Sequence, residues 1–393
     1  MKKYDVVFFI EHKDRELESV KLVVETLRDL GVSCVILSIY FHAYKLYSVQ
    51  ARLYVFPFVI SEVDWPISIV HAMYGDRVNY LNMNWEQLLS RANINYKKPR
   101  TKFSQEKVKH ITWDLNFKKH LLDCGVLESN IRVTGNPANS LLVSMLKRGE
   151  QWKEKLANEF GIDATKKIIF LPMNYAWAFA SDSLIKAKIE NGYPESEAWK
   201  YREYSHKCLK EFTYFIQKIS LMGDYEVIIR PHPSISEEQY ENVFISQLGF
   251  IPSNIFINKS YSIREWIIAS DIVGSSWSTS VWDAYNIGKP VFLFTPHKVP
   301  DFIYVWWYDK VANIVDFDED LLSIKEQEKV ENDSVENISS FIVKIIHDTS
   351  IPLHKEVFPR TVKGFLKIVK SFMLDKRILP AGNLKYDYFN IIK

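Results

Sequence analysis

The chain repeats one pattern: a short unbroken apolar run, then a stretch whose apolar positions return every three or four residues. Val6 to Ile10, in YDVVFFI, has no polar interruption, as a strand covered on both faces requires. Leu17, Val20, Val24 and Leu27 follow at helical spacing, and Gly31 predicts the end of that helix. VSCVILSI and RLYVFPFV read as the next strands. VNYLNM then leads into NWEQLLSRA, predicted helical, and VKHITW into the helix DLNFKKHLLDCG; NIRVTGNP closes the series. Alternation of this kind predicts a parallel sheet with helices on its faces.

The charged, helix-prone stretch MLKRGEQWKEKLANEFGIDATKK separates a second series, so a domain junction is expected near residue 150. That series runs KIIFLP, the long helix AWKYREYSHKCLKEFTYFIQKIS, YEVIIRP, NIFINK, DIVGSS and KPVFLF. Within it Ser262 to Glu265 (SIRE) is a capping box opening a short helix, whose Trp266, Ile267 and Ile268 pack inward. The tail TVKGFLKIVKSFMLDKRIL is predicted helical. Phe365, Ile368, Val369 and Phe372 share the face expected to turn inward, with Lys363, Lys367, Lys370 and Lys376 largely off it. The expected fold is α/β: two doubly wound, Rossmann-like domains, 1–150 and 151–345, facing a cleft, with a helical tail, 346–393, packed back on the first.

Composition narrows the partners. A length of 393 residues exceeds one ordinary domain, and a 47% hydrophobic share supplies the cores. Fifty basic residues against 48 acidic leave a net charge of +2, so no global field draws nucleic acid. Cys34, Cys124 and Cys208 have no metal-ligand spacing and read as reduced thiols. The first apolar run is too short for a secretion signal, and no stretch nears the roughly 18 apolar residues of a membrane span. The expectation is a cytoplasmic protein whose basic tail touches the inner membrane surface weakly and in a salt-sensitive way.

Candidate chemistry follows from the strands' carboxyl ends, where doubly wound sheets bind ligands. VIIRPHPSI ends a buried run in Arg230 and His232, with Pro231 and Pro233 stiffening the corner. A guanidinium fork and an imidazole N–H aimed from one corner suit an anionic group. DIVGSSWSTSVWDAYNIGKPVFLF empties into Ser275, Ser276, Ser278, Thr279 and Ser280 ahead of a helix stopped by Gly288. Thr279 or Ser280 is the expected cap, and the remaining hydroxyls and free N–H groups would form an anion site. Asp283, placed in the first turn, could cap, favour the dipole or accept from a ribose.

This second element resembles the donor-binding element of GT-B glycosyltransferases: strand, serine loop, acidic helix, Gly-x-Pro. With RPHP it is similar to the motifs of bacterial capsule and lipopolysaccharide transferases that use CMP-activated acidic sugars, the polysialyl- and Kdo transferases. EHKDREL, NMNWEQ and NIRVTGNP are similar to surface carbohydrate biosynthesis proteins, and the likeness runs from residue 1 to about 300. The resemblance implies that Arg230 and His232 hold the CMP phosphate, that Ser275, Ser276 and Ser278 bind phosphate or sugar carboxylate, and that Asp283 takes the ribose. The acidic-acidic-glycine motif that supplies the base in polysialyltransferases is not evident.

The catalytic carboxylate is therefore sought at strand ends. Asp182, in the aromatic loop LPMNYAWAFASDS, is expected to be tuned by desolvation; Glu11, after the first strand, and Glu86, in NWEQ, come next. Asp182 and Glu11 are expected to face each other across the cleft. No His/Cys cluster asks for a metal, and no metal or cofactor is expected. The implied activity is transfer of an acidic ketosugar from a CMP-activated donor to a surface glycan or glycolipid acceptor. Alternatives are CDP-glycerol or CDP-ribitol polyol phosphotransfer and a non-catalytic nucleotide- or glycan-binding protein.

Overall fold

A computed structural model describes residues 1–94, 98–315, 321, 324–328, 333–347, 349–352 and 362–393. The chain forms two compact units, 1–89 with 93–141 and 332–393, and 90–92 with 142–331.

The first unit is built from β1 (Lys2–Ile10), α1 (Glu18–Asp29), β2 (Cys34–Ser38), β3 (Val49–Phe56), α2 (Ile67–Tyr74), β4 (Asn79–Asn82), β5 (Val108–Thr112), α3 (Leu115–Asp123) and β6 (Ile131–Val133). Its six-stranded sheet runs β2-β1-β3-β4-β5-β6, with every pair parallel. The unbroken apolar run of β1 has the expected cause. Val6, Phe8 and Ile10 pack with Val20, Val24 and Leu27 of α1, while Val7 and Phe9 pack with Ile67, Val70 and Met73 of α2. The order reverses between β1 and β3, which puts the topological switch point at their carboxyl ends.

NWEQLLSRA is not a helix. Asn84 adopts a left-handed φ of 50° and its amide donates to Ile111 O at 2.9 Å. Gln87 Oε1 accepts from Trp113 N at 2.8 Å. These side chains serve the free end of β5, so the segment is held open instead of coiling.

α4 (Pro137–Leu146) carries the chain into the second unit: α5 (Gly149–Phe160), β7 (Lys167–Pro172), α6 (Asp182–Glu190), α7 (Glu195–Leu221), β8 (Tyr225–Arg230), α8 (Glu237–Leu248), β9 (Ile255–Ile257), α9 (Ile263–Ala269), β10 (Ile272–Ser275), α10 (Thr279–Asn286), β11 (Val291–Phe294) and β12 (Ala312–Ile314). The sheet order is β12-β11-β10-β7-β8-β9, again all parallel, with its switch point between β7 and β10. The SIRE capping box opens α9, and Trp266, Ile267 and Ile268 are buried. Gly274 lets β10 approach β11, since a Cβ there would lie 2.0 Å from the Phe292 ring.

The chain then returns to the first unit as α11 (Ser334–Ile346) and α12 (Val362–Asp375). The divisions fall at 141/142 and 331/332, so α11 belongs with the first unit although residues to 345 were expected in the second. Its Val335, Ile338, Ile342 and Ile346 join the core of β1 and α1, which fixes that assignment. Beyond α12, Ile392 bridges to Ile36 on the free edge of β2.

The expected inward face of α12 is only partly turned inward: Ile368 packs against the core of the first unit, but the two phenylalanines do not. Ser371 and Leu374 are buried, whereas Phe365 is 50% and Phe372 41% exposed. Polar pins decide this orientation: Tyr44 N donates to Ser371 Oγ at 3.2 Å, and Tyr44 OH to Asp375 Oδ2 at 2.6 Å. The side chain of Lys363 lies outside the described residues.

Candidate functional site

In the second unit the switch point is laced shut by hydroxyls. Ser275 Oγ donates to Pro172 O at 2.7 Å, tying the ends of β10 and β7, and Ser276 Oγ pairs with Tyr175 OH at 2.5 Å. Both serines are buried, at 0% and 1% exposure, so their side chains are spent on the fold rather than on a ligand as expected. Ser278 is the N-cap of α10, because the helix starts earlier than VWDAYNIG suggested; Thr279 is its exposed first residue. The anion-binding capacity of this loop therefore rests on the amino end of α10 and Thr279.

The RPHP corner is held by a reciprocal clamp. Arg230 Nη1 donates to Lys259 O at 2.8 Å and Ser260 O at 3.0 Å. Lys259 Nζ in turn donates to Pro233 O and Ile235 O, each at 2.9 Å. Arg230 thus fixes the 259–260 turn, and the expected bidentate grip on phosphate is not preformed. His232 is better placed. Ser234 N donates to its Nδ1 at 3.2 Å, and Ser234 Oγ lies 2.7 Å from that atom. With Nδ1 accepting, the neutral ring carries its proton on Nε2. Burial, and then the nearby Lys259 charge, push its pKa below the ordinary value, so it presents a neutral donor.

Asp283 lies in the second turn of α10, past capping reach, because the helix begins at Thr279. Its half-buried carboxylate accepts no hydrogen bond among the described residues. Burial pushes its pKa up to about 6, with Arg264 pulling the other way. The corner follows β8, and the α10 amino end and this carboxylate follow β10; these two strands flank β7 in the middle of the sheet.

Asp182 does not meet its expectation. It is the first residue of α6, its side chain is 69% exposed, and it pairs with Arg202. An exposed, paired carboxylate is not desolvated.

Glu11 sits at the end of β1, at the first unit's switch point, with a side chain only 11% exposed. Tyr40 OH donates to its Oε1 at 3.2 Å, and Arg15 Nη2 lies 3.6 Å from Oε2. Burial, reinforced by Glu11, keeps Tyr40 protonated well above its ordinary range. Beneath it Glu16, 0% exposed, accepts from Glu11 N at 2.9 Å and pairs with Arg15 at 2.8 Å. Burial raises the Glu16 pKa and Arg15 lowers it, with burial ahead. Glu86 joins through Arg15 Nη1 at 2.6 Å, bringing two of the candidate acids together. His12 lies 3.5 Å from Asp387, whose hydrogen bond raises its pKa. The sequence signal for Glu16 was its place one turn past a strand end beside Arg15. Tyr40 and Asp387 arrive from distant segments and gave none.

No protein-family model matches the chain, and no curated protein matches it. Solved structures do. The wall teichoic acid polymerase TagF, in a structure soaked with CDPG, matches at a TM-score of 0.53 and 14% identity over 88% of this chain and 90% of that one. A second TagF structure matches at 0.50 over 95% and 89%, also with 14% identity. MnaA of S. aureus, in a co-structure with UDP, matches at 0.50 and 11% identity over 98% and 97%. The two parallel six-stranded sheets and these neighbours make the architecture plain. The fold is GT-B.

Proposed function

We propose that the protein is a glycosyltransferase that moves an acidic ketosugar, Kdo or a sialic-acid-like sugar, from a CMP-activated donor to a surface polysaccharide or lipopolysaccharide acceptor. The observation that carries the reading is the set of groups after β8 and β10, on either side of β7: a neutral His232 Nε2–H donor, the amino end of α10 and the Asp283 carboxylate, which accepts no hydrogen bond among the described residues. His232 and the α10 amino end take the donor phosphate, and Asp283 accepts from the ribose hydroxyls. The bond between the anomeric carbon and the CMP phosphate oxygen breaks, and CMP leaves with the electron pair. Charge-assisted donors on the phosphate stabilise that leaving group without a metal.

Glu11 is assigned the catalytic carboxylate ahead of Asp182. It is nearly buried, oriented by Tyr40 and Arg15, and set at a strand end, whereas Asp182 is exposed and paired. A carboxylate in that role stabilises the oxocarbenium-like centre and takes the acceptor hydroxyl proton as the new glycosidic bond forms. Glu86, tied to Glu11 through Arg15, would tune it.

A second reading, polyol phosphate transfer from CDP-glycerol or CDP-ribitol, is favoured by the fold likeness to TagF soaked with CDPG. Both readings place a cytidine nucleotide at the same strand ends. Hydrolysis of CMP-Kdo, CMP-sialic acid and CDP-glycerol, with thermal shifts for CMP, CDP and UDP, separates them. CMP release from the ketosugar donors supports the first reading, and turnover of CDP-glycerol alone replaces it with the second. A thermal response to UDP and none to cytidine nucleotides sinks both.

A further inference from the structure

Surface helices turn apolar residues to the protein and polar ones to water. α12 departs from this on its outer side. Its inner side carries Ser371 and Asp375, pinned to Tyr44, with Ile368 and Leu374. Its outer side carries Phe365, Leu366 and Phe372, at 50%, 58% and 41% exposure. Val369 and Met373 are half-buried on the same side, and the chain beyond the helix adds Ile378 at 58% and Leu379 at 37%. Single exposed apolar residues need no explanation, but a continuous stripe of them does.

The charge around the stripe says what covers it. Between residues 362 and 379 there are Lys363, Lys367, Lys370, Lys376 and Arg377 but one acid, Asp375, which faces inward to Tyr44 at 2.6 Å and His42 at 3.4 Å. Lys367 lies along the Trp65 ring at 5.3 Å and Arg377 along Tyr388 at 5.7 Å, so their stems follow the protein surface.

We propose that α12 and the turn after it form a surface that lies in the plane of an anionic lipid bilayer. Phe365, Leu366, Phe372, Ile378 and Leu379 enter the boundary between headgroups and acyl chains, and Lys370, Lys376 and Arg377 meet the lipid phosphates. A second copy of this chain is the poorer occupant, because a two-fold contact would set these cations against themselves. No described helix is long and apolar enough to cross a membrane, so the mode is adsorption by one face. Because apolar insertion shares the binding with charge, attachment persists at salt concentrations that screen a purely electrostatic contact. None of this depends on which nucleotide the protein uses.

The test is co-sedimentation of the full chain with vesicles of phosphatidylethanolamine and phosphatidylglycerol, and with pure phosphatidylcholine, at low and high salt. The unsubstituted chain is expected on the anionic vesicles at both salts. Phe365→Ser/Leu366→Ser should lower binding at least about tenfold at both, and Lys370→Glu/Lys376→Glu mainly at low salt. Thermal melts verify that the variants fold, and Leu366→Ser/Ile378→Ser repeats the test with a residue beyond the helix; both variants leave the Tyr44 contact of Phe372 in place. No binding by the unsubstituted chain, or binding by both serine variants as strong as that of the unsubstituted chain, overturns the proposal. So does a dimer that those variants split without any vesicle binding.

Discussion

Burial works against the charge on Asp283 in the folded protein, and that has a measurable sign. Its pKa is raised to about 6 from an ordinary 3.8, so folding favours the protonated form. The stability it contributes is complete below about pH 4 and is lost as pH rises through about 6. Asp283→Asn removes the titration. The variant should therefore gain Tm relative to the natural chain between about pH 4.5 and 7, and lose nucleotide affinity. Parallel Tm profiles for the two proteins would show that Asp283 is solvated. For His232, Ala removes one charge-assisted hydrogen bond, so CMP binding should weaken by about 1.5–3 kcal/mol by calorimetry; unchanged affinity would take the phosphate role away from it. At Glu11, Gln should cut turnover at least about a hundredfold with nucleotide binding intact, while Asp182→Asn stays near the unsubstituted rate. The reverse ranking would restore Asp182. The corner and the serine loop were legible as residues because chemistry at a strand end is a sequence pattern. Which hydroxyls were already committed was not, since Ser275 and Ser276 are consumed by partners about a hundred positions away, Pro172 and Tyr175.

Elements were legible where one physical rule acts alone. Strands buried on both faces must be apolar throughout, and the runs at β1, β7, β8 and β10 announced themselves. NWEQLLSRA has helical composition, yet the unpaired end of β5 captured Asn84 and Gln87, and tertiary hydrogen bonds overrode propensity. For α12, periodicity identified an apolar face but not how far it would turn inward, since Ile368 packs on the core while Phe365 and Phe372 stay exposed. Two polar pins, Ser371 and Asp375, decided that. Gly274 is an element-scale constraint of the same hidden kind, a glycine kept inside a strand for packing. Gly274→Ala would drive a methyl group to within 2.0 Å of the Phe292 ring between two central strands. We expect a loss of roughly 1–3 kcal/mol, the cost typical of overpacking, in urea unfolding. A neutral substitution would mean that Phe292 can move aside and that β10 and β11 are less tightly packed than the structure has them.

At the scale of the molecule, the chain leaves the first unit, completes the second and comes back. The sequence shows the two series of strands but not the return. Val335, Ile338, Ile342 and Ile346 declare a helix with an apolar face, and nothing local says which sheet it covers. Their destination makes the first unit dependent on residues more than 300 positions from its first strand. At about 1.5–3 kcal/mol for each buried side chain, these positions contribute roughly 6–12 kcal/mol. That is an upper figure, since the unfolded chain hides some of the same surface. It is still comparable with the whole stability of a domain, about 5–15 kcal/mol. A chain ending at residue 331 should therefore lose the cooperative melting of the first unit and expose the α1 side of β1, with a rise in dye binding. Residues 142–331 keep α7, α9 and α10 packed against their strands, so that segment should retain a single transition by calorimetry. If the chain ending at 331 melts as the full one does, then α11 is an accessory cover and the core of the first unit closes without it.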